Sequence, residues 1–345
     1  MNSGKDYKNL NKGNIPVYGT GGYMLSVNRA LSNENAIGIG RKGTIDRPQY
    51  LIAPFWTVDT LFFLTVKNQN DLKFFYALFQ KINWKKYDES TGLPSLSKST
   101  LNNIFLKNPN YKEQKKIGLL LSQIEVLITL QQRKLEYFMT IKAELLRSIF
   151  PNTIGKRGLH ISDQPWKLQT MNDIFKEKNI KNEHGKLLSV SISKGIYPFS
   201  ENERKNNSSN NKSNYKEVKY NDIAYNSMRM WQGALGVSKY DGIVSPAYTV
   251  ITAKKQENPL FYYYYFKNKR MLFNFRQHSQ GLTSDTWNLK FPLFKKIIIQ
   301  TPISKKEEQI IANLFKTLDQ NIIYTKTKIE KFNYIKQFLL QNMFI

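Results

Sequence analysis

Two stretches of the chain carry an unbroken helical pattern. From Ile117, alternating steps of four and three residues visit ten positions ending at Ile149. Eight are apolar, and the exceptions are Gln131 and Lys142. The same walk from Ile311 to Met343 again finds eight apolar positions, and its exceptions, Thr325 and Lys336, are the equivalent ones. Neither stretch contains proline. A sustained seam of this kind specifies a coiled coil, and polar residues within it set register at some cost in stability. Ile117–Phe150 aligns on Ile311–Phe344 without a gap at an offset of 194, with eleven of 34 pairs identical. The two helices are therefore predicted to pair with each other. The pairing residues are Ile117, Leu121, Ile124, Ile128, Leu135, Phe138 and Leu145 on the first, and Ile311, Phe315, Leu318, Ile322, Ile329, Phe332 and Leu339 on the second. Each helix is about 50 Å long at roughly 1.5 Å per residue. Just upstream, Glu113-Gln114 matches Glu308-Gln309 with a one-residue shift, and the glutamate suits the positive end of a helix dipole.

The repeat continues more weakly into what precedes each helix. Leu72–Tyr76 resembles Leu260–Tyr264, Gly92-Leu93 resembles Gly281-Leu282, and Phe105 to Pro109 resembles Ile298 to Pro302. Each half is thus a globular module followed by a long helix, an α+β organisation. It consists of modules at 1–108 and 151–302 and spacer helices at 109–150 and 303–345, which pair as an antiparallel coiled coil. Short β-like runs separated by Gly and Pro lie at Asn14–Tyr18, Ala36–Ile39, Tyr50–Ala53 and Val58–Val66, then at Ile223–Tyr225 and Tyr248–Ile251. Aromatic helices are predicted over Leu72–Trp84 and Leu260–Phe275, and such clustering reads as core before it reads as a platform for bases. The polar stretch Glu201–Lys216 is expected to be a mobile surface loop. The first module is the shorter, and nothing in it corresponds to the stretch that opens the second at Trp166. It is therefore expected to be shortened at its N-terminal side.

Charge changes the picture. Among 345 residues, 52 Lys and Arg face 26 Asp and Glu, a formal charge of +26. Up to Phe150 there are 21 basic and 11 acidic residues, and 31 and 15 after it. The excess is in both halves rather than in a tail. A folded protein with that field attracts polyanions, nucleic acid first among them. With no cysteine and three scattered histidines, His160, His184 and His278, disulfides, thiolate metal sites and a cysteine nucleophile fall away and no metal is expected. No apolar run approaches the roughly 20 residues that span a bilayer, and no secretory signal is visible, so a cytoplasmic location without membrane contact is expected.

The helix text Glu113-Gln114, Ile117, Ile124-Glu125, Ile128, Arg133-Lys134-Leu135-Glu136, Lys142, Leu145-Leu146 and Ile149-Phe150-Pro151, with its twin ending Leu339-Leu340-Gln341-Asn342-Met343-Phe344, resembles the specificity subunit of type I restriction–modification systems. So does the module text Ile15–Gly22, Ile39–Gly43 and Asn226–Ala234. The resemblance covers nearly the whole chain and departs at the N-terminus, where the family has an opening stretch like that around Trp166. It implies two target-recognition domains, each reading one half of a split sequence in double-stranded DNA. The helices would fix the gap and dock two modification (methyltransferase) subunits, and a restriction subunit would join through the complex. The chain itself would carry no catalysis and no cofactor, with S-adenosylmethionine and ATP bound by partner subunits. Candidate DNA contacts are basic and amide residues in glycine-containing loops: Tyr18, Thr20, Arg41, Lys42 and Arg47 in the first module, Asn226, Arg229, Gln232, Lys239, Gln280 and Thr283 in the second. Arg suits guanine, Asn and Gln suit adenine, and Lys more often holds phosphate.

One motif argues for an enzyme. Asn108-Pro109-Asn110-Tyr111 resembles the Asn-Pro-Pro-Tyr site of DNA amino-methyltransferases, but its third residue differs and its repeat partner, Thr301-Pro302-Ile303, keeps only the proline. A corner shared by both halves is structural. The glycines of Ile37–Gly43 lead into charge and proline rather than a helix, and no phosphate-binding Gly-x-x-x-x-Gly-Lys-Ser/Thr loop exists. Two other readings stay open: a coiled-coil adaptor for proteins without specific DNA binding, and a truncated silent or donor copy of a specificity subunit.

Overall fold

The computed structural model describes residues 1–67, 69–150, 165–201 and 211–344; most of the polar 201–216 stretch and the module boundary at 151 lie outside them. The chain divides into two compact units, Met1–Lys134 with Thr325–Ile345, and Leu135–Tyr324. Each unit takes one module and a half of each long helix.

The first unit opens with β1 (Asn2–Ser3), the hairpin β2 (Lys12–Gly19) and β3 (Gly22–Val27), then β4 (Ala36–Gly40), β5 (Gln49–Leu51), β6 (Trp56–Thr57) and β7 (Leu61–Leu64). β1, β7, β4 and β5 form an antiparallel sheet in that order, and β6 runs parallel to β2 beside the hairpin. Helix α1 (Leu72–Lys81) starts at Asp71, whose carboxylate accepts from Phe74 N at 2.8 Å. It ends sooner than its sequence suggests, because Trp84 turns into a single 3-10 turn and its Nε1 donates to Phe79 O at 2.8 Å. A short α2 (Lys98–Asn102) precedes the long α3 (Tyr111–Ile149). The Asn-Pro-Asn-Tyr motif is the start of that helix, where Asn110 Oδ1 accepts from Glu113 N at 3.0 Å.

The second unit contains β8 (Trp166–Thr170), α4 (Met171–Ile174), β9 (Phe175–Glu177), β10 (Leu188–Ser191), β11 (Gly195–Pro198), β12 (Lys216–Val218), β13 (Ile223–Asn226), β14 (Leu235–Val237), β15 (Gly242–Val244) and β16 (Tyr248–Ala253). Then come α5 (Pro259–Phe266), α6 (Lys269–Gln277), α7 (Phe291–Phe294), β17 (Ile298–Pro302) and α8 (Lys305–Asn342). Its main sheet runs β9-β16-β13-β14, all antiparallel. This is the strand order of the first unit repeated, with β16, like β7, leading into the aromatic helix. The single helix expected over Leu260–Phe275 is two. Asn268 breaks it by capping α6 through Arg270 N at 2.8 Å, while its Nδ2 donates to Leu146 O at 2.6 Å near the end of α3.

Every pairing position predicted on the two long helices is buried or half-buried. Within the first unit, Ile117 and Leu121 share a core with Phe74, Ala77, Leu78, Leu340 and Phe344. Within the second, Phe150 stacks on Phe315 in a core that includes Ile311, Leu318, Phe261 and Tyr265. In both units α3 and α8 run antiparallel. The two polar exceptions near the helix ends are ion pairs: Lys142 Nζ lies 2.5 Å from Asp319 in one unit and Lys336 Nζ 2.8 Å from Glu125 in the other.

The helix starts correct the shifted Glu-Gln match. At the unshifted offset Gln114 corresponds to Glu308, and both are buried. Gln114 Oε1 accepts from the backbone N of the α1 cap Asp71 at 3.0 Å, and Glu308 accepts from the backbone of the α5 cap Asn258. What repeats is a buried acceptor for a helix cap rather than a dipole effect. Glu308 also accepts from Lys305 Nζ at 2.8 Å, and burial pushes its carboxyl above the usual range. One turn on, Gly118 lets α1 approach closely: a Cβ there would lie 2.3 Å from Asp71 Oδ1 and 2.6 Å from Phe74 N. Its repeat equivalent Ala312 is fully buried with its methyl accommodated. Gly118→Val is expected to destabilise the first unit by about 1–3 kcal/mol through overpacking, seen as a lower urea midpoint, whereas Ala312→Gly lowers it less.

Candidate nucleic-acid interface

In the first unit the hairpin tip between β2 and β3 meets the turn that follows β4. Gln49, at the start of β5, donates from Nε2 to Gly19 O at 2.8 Å and Thr20 O at 3.1 Å, which fixes the tip. Gly43, with φ of 90°, makes the turn, and Thr20 Oγ1 lies 3.7 Å from where its Cβ would stand. Arg41 and Lys42 are exposed on this turn, and the Arg41 guanidinium lies 5.8 Å from the Phe62 ring centroid. Thr20, Arg41 and Lys42 are thus brought together. Tyr18 is half-buried, packed at the edge of a core with Tyr23 across the hairpin, so much of its ring is structural. Arg47 is exposed two residues before Gln49.

In the second unit the equivalent turn is the connection from β13 to β14. Asn226 Oδ1 accepts from Met228 N at 3.0 Å, Arg229 N donates to Asn226 O at 3.0 Å, and Gly233, with φ of 84°, closes the loop. Asn226 is therefore a turn-former, and a bidentate contact to adenine would have to break its turn bond. Arg229 donates to Gln232 Oε1 at 3.1 Å, pre-orienting both side chains. A second loop abuts this turn: Gln280 and Asn288 pair through both backbone hydrogen bonds, and Leu289 N donates to Ser227 O at 2.8 Å. Gln280 and Thr283 therefore belong to the surface that carries Arg229 and Gln232. Lys239 does not. It lies past the far end of β14, where Ser238 bonds the backbone of Asp222 before β13.

Sequence reasoning missed the group that joins these two loops. Trp231 and Trp287 meet edge to face with centroids 5.1 Å apart, and the Arg276 guanidinium lies 4.6 Å from the Trp287 centroid. The partners are far apart in the chain and no local pattern links them. Lys267 was missed as well. Its Nζ donates to Gly233 O at 2.5 Å and Ile192 O at 3.0 Å, tying the β13–β14 turn to the β10–β11 hairpin. Among the described residues there is no cluster of three or more His, Cys, Asp or Glu side chains placed to hold a metal, and no helix long and apolar enough to cross a membrane.

Two similarly built modules each present a turn with basic or amide side chains beside a second loop. The sequence model of the type I restriction modification DNA specificity domain matches residues 2–137 and 163–334, and the chain belongs to that family. Its members recognise DNA and are not themselves catalytic. Among solved structures, the type I restriction–modification S subunit of M. genitalium is similar, at 14% identity over all of this chain and 93% of that one, with a TM-score of 0.69. The HsdS subunit of Thermoanaerobacter tengcongensis aligns at 11% identity over all of this chain and 94% of its own, with a TM-score of 0.47. Comparison with curated proteins finds no match.

Burial, and then the charge of Lys142, hold the Lys267 ammonium down to about 8. The folded value is below the unfolded one, so the folded state gives up its proton first. Between about 8 and the ordinary lysine value this group's contribution to stability rises with pH. The neutral amine keeps two N–H groups for the two carbonyls, so the tie survives. Lysine side-chain NMR is expected to show one resonance titrating near 8 that is missing from Lys267→Met.

Proposed function

We propose that this chain is the sequence-reading subunit of a type I restriction–modification complex, with each module reading one half of a split DNA target. The observation that carries the reading is the recurrence of one surface in both modules: a turn with exposed basic or amide side chains directly after β4 in one and β13 in the other, backbone-bonded to a Gly-Leu loop. An excess of basic residues in both halves supports it. The paired helices set the gap between half-sites and dock two modification subunits on their outward faces, and a restriction subunit joins through these. S-adenosylmethionine and ATP belong to those partners, and the place of work is the cytoplasm. Tethering two readers raises the effective concentration of the second once the first is bound.

The test is to express the chain with the modification subunits of its own operon in a host free of DNA methylation and to sequence the modified bases. The expected result is a split motif with a fixed gap, and binding that weakens steeply with salt. An adaptor for proteins predicts a stable complex with no footprint on DNA, and a silent copy predicts a complex that methylates nothing. Inserting four residues within Ile117–Phe150 is expected to lengthen the gap without changing either half of the motif. An unchanged gap would remove the helices from the role of ruler.

A further inference from the structure

The two Gly-Leu loops each end in an apolar tip. Leu93 is 67% exposed and Leu282 fully so, at 101%. A single exposed leucine is ordinary on a protein surface. The same exposed leucine at the same place in both modules, within a repeated Ser-x-Gly-Leu-x-Ser text at Ser90–Ser95 and Ser279–Ser284, is not.

Both loops are built to hold the tip outward. In the first, Asp88 Oδ1 accepts from Ser90 N at 3.0 Å, Ser90 Oγ at 2.8 Å and Ser95 N at 2.9 Å, closing the loop across its base. Gly43 N then donates to Pro94 O at 2.8 Å and Leu96 N to Arg41 O at 2.9 Å, fastening it to the basic turn. In the second, the Gln280–Asn288 pair closes the base and Leu289 fastens it to Ser227. Gly281, with φ of 138°, makes the bend, and a Cβ there would stand 2.6 Å from the Thr286 carbonyl. Different groups thus close the two loops, and each loop with its exposed leucine is fastened by backbone bonds to a turn that carries cationic or amide side chains: Arg41 and Lys42 in one module, Arg229 and Gln232 in the other.

We propose that Leu93 and Leu282 are apolar wedges that enter the DNA duplex, one in each half-site, and press between base steps. The inference rests on the DNA-reading function above. Cations on the turns to which the loops are fastened favour a polyanion over an apolar protein groove, and proteins that deform DNA insert such side chains while other cations hold phosphates. Each wedge adds selectivity for a step that unstacks easily, at a position where no hydrogen bond reads a base.

The experiment uses the full chain assembled with its modification subunits, on duplexes carrying the split motif with 2-aminopurine placed in turn at each step. Wild-type complex is expected to brighten the probe at one step in each half-site. Leu282→Ala loses the signal in one half-site and Leu93→Ala in the other, each weakening specific binding on the order of 10-fold with the salt slope unchanged. Leu282→Met keeps the signal. Two results overturn the wedge: probe signals and affinities that persist in both alanine variants, or alanine variants that keep the probe signal but no longer hold the modification subunits, which makes the tips protein contacts. A wild-type complex that selects no sequence overturns the DNA-reading function itself, and the wedge with it.

Discussion

The architecture depends on two ion pairs that are one interaction used twice. Lys142 faces Asp319 and Lys336 faces Glu125, and at the repeat offset each member of one pair is the counterpart of a member of the other. An apolar seam alone tolerates more than one alignment. Pairing the repeats in parallel and in register would set Lys142 against Lys336, two ammonium groups in a half-buried seam. The antiparallel register instead gives each lysine a carboxylate, and a slip by one heptad separates both pairs. These pairs are partly solvated and add little to net stability, but they favour this alignment over those that leave a lysine facing a lysine or no carboxylate. Each carboxylate is also held from its own module: Tyr264 donates to Asp319 at 2.9 Å and Gln80 to Glu125 at 2.9 Å. Tyr264 and its counterpart Tyr76 both have phenols held above their ordinary range by burial, then by the carboxylate they face; for Tyr76 the value is about 12.

Much of this was legible in the sequence because helices write their packing into a short period. The seam, its polar defects and the module order are readable at steps of three and four. The longer inner strands β2, β4, β13 and β16 announce themselves as apolar or β-branched runs. What escaped were strands of two or three residues such as β1, β12 and β15, whose identity comes from partners elsewhere. The break between α5 and α6 escaped because Asn268 is recruited by a carbonyl on α3 some 122 residues away. A local pattern of aromatic residues continues across it unchanged.

The candidate interface was legible in part for the same reason. Glycine beside Arg or Lys marked both basic turns, and the repeated Gly-Leu pair was visible as text. Its exposure was not, since a leucine in sequence reads as core. Nor could spacing place Lys239 at the far end of its strand pair or show Asn226 spending its carbonyl on its own turn. Trp231, Trp287 and Arg276 form a group only once two loops have been fastened together, and that fastening is made by backbone atoms that carry no sequence signature.

The division of the chain also orders events in time. Leu135–Tyr324 is continuous, so the second unit is complete in sequence before Thr325 is reached. The first unit is not. Its Ile117 and Leu121 wait for Leu340 and Phe344, and 190 residues separate the end of its first segment from the start of its last. At about 5–20 residues per second, that is on the order of 10–40 s during which the ribosome carries a module whose apolar groove has no lining helix. The unit begun first is finished last, and the interval is one in which a chaperone or another nascent chain can meet that groove.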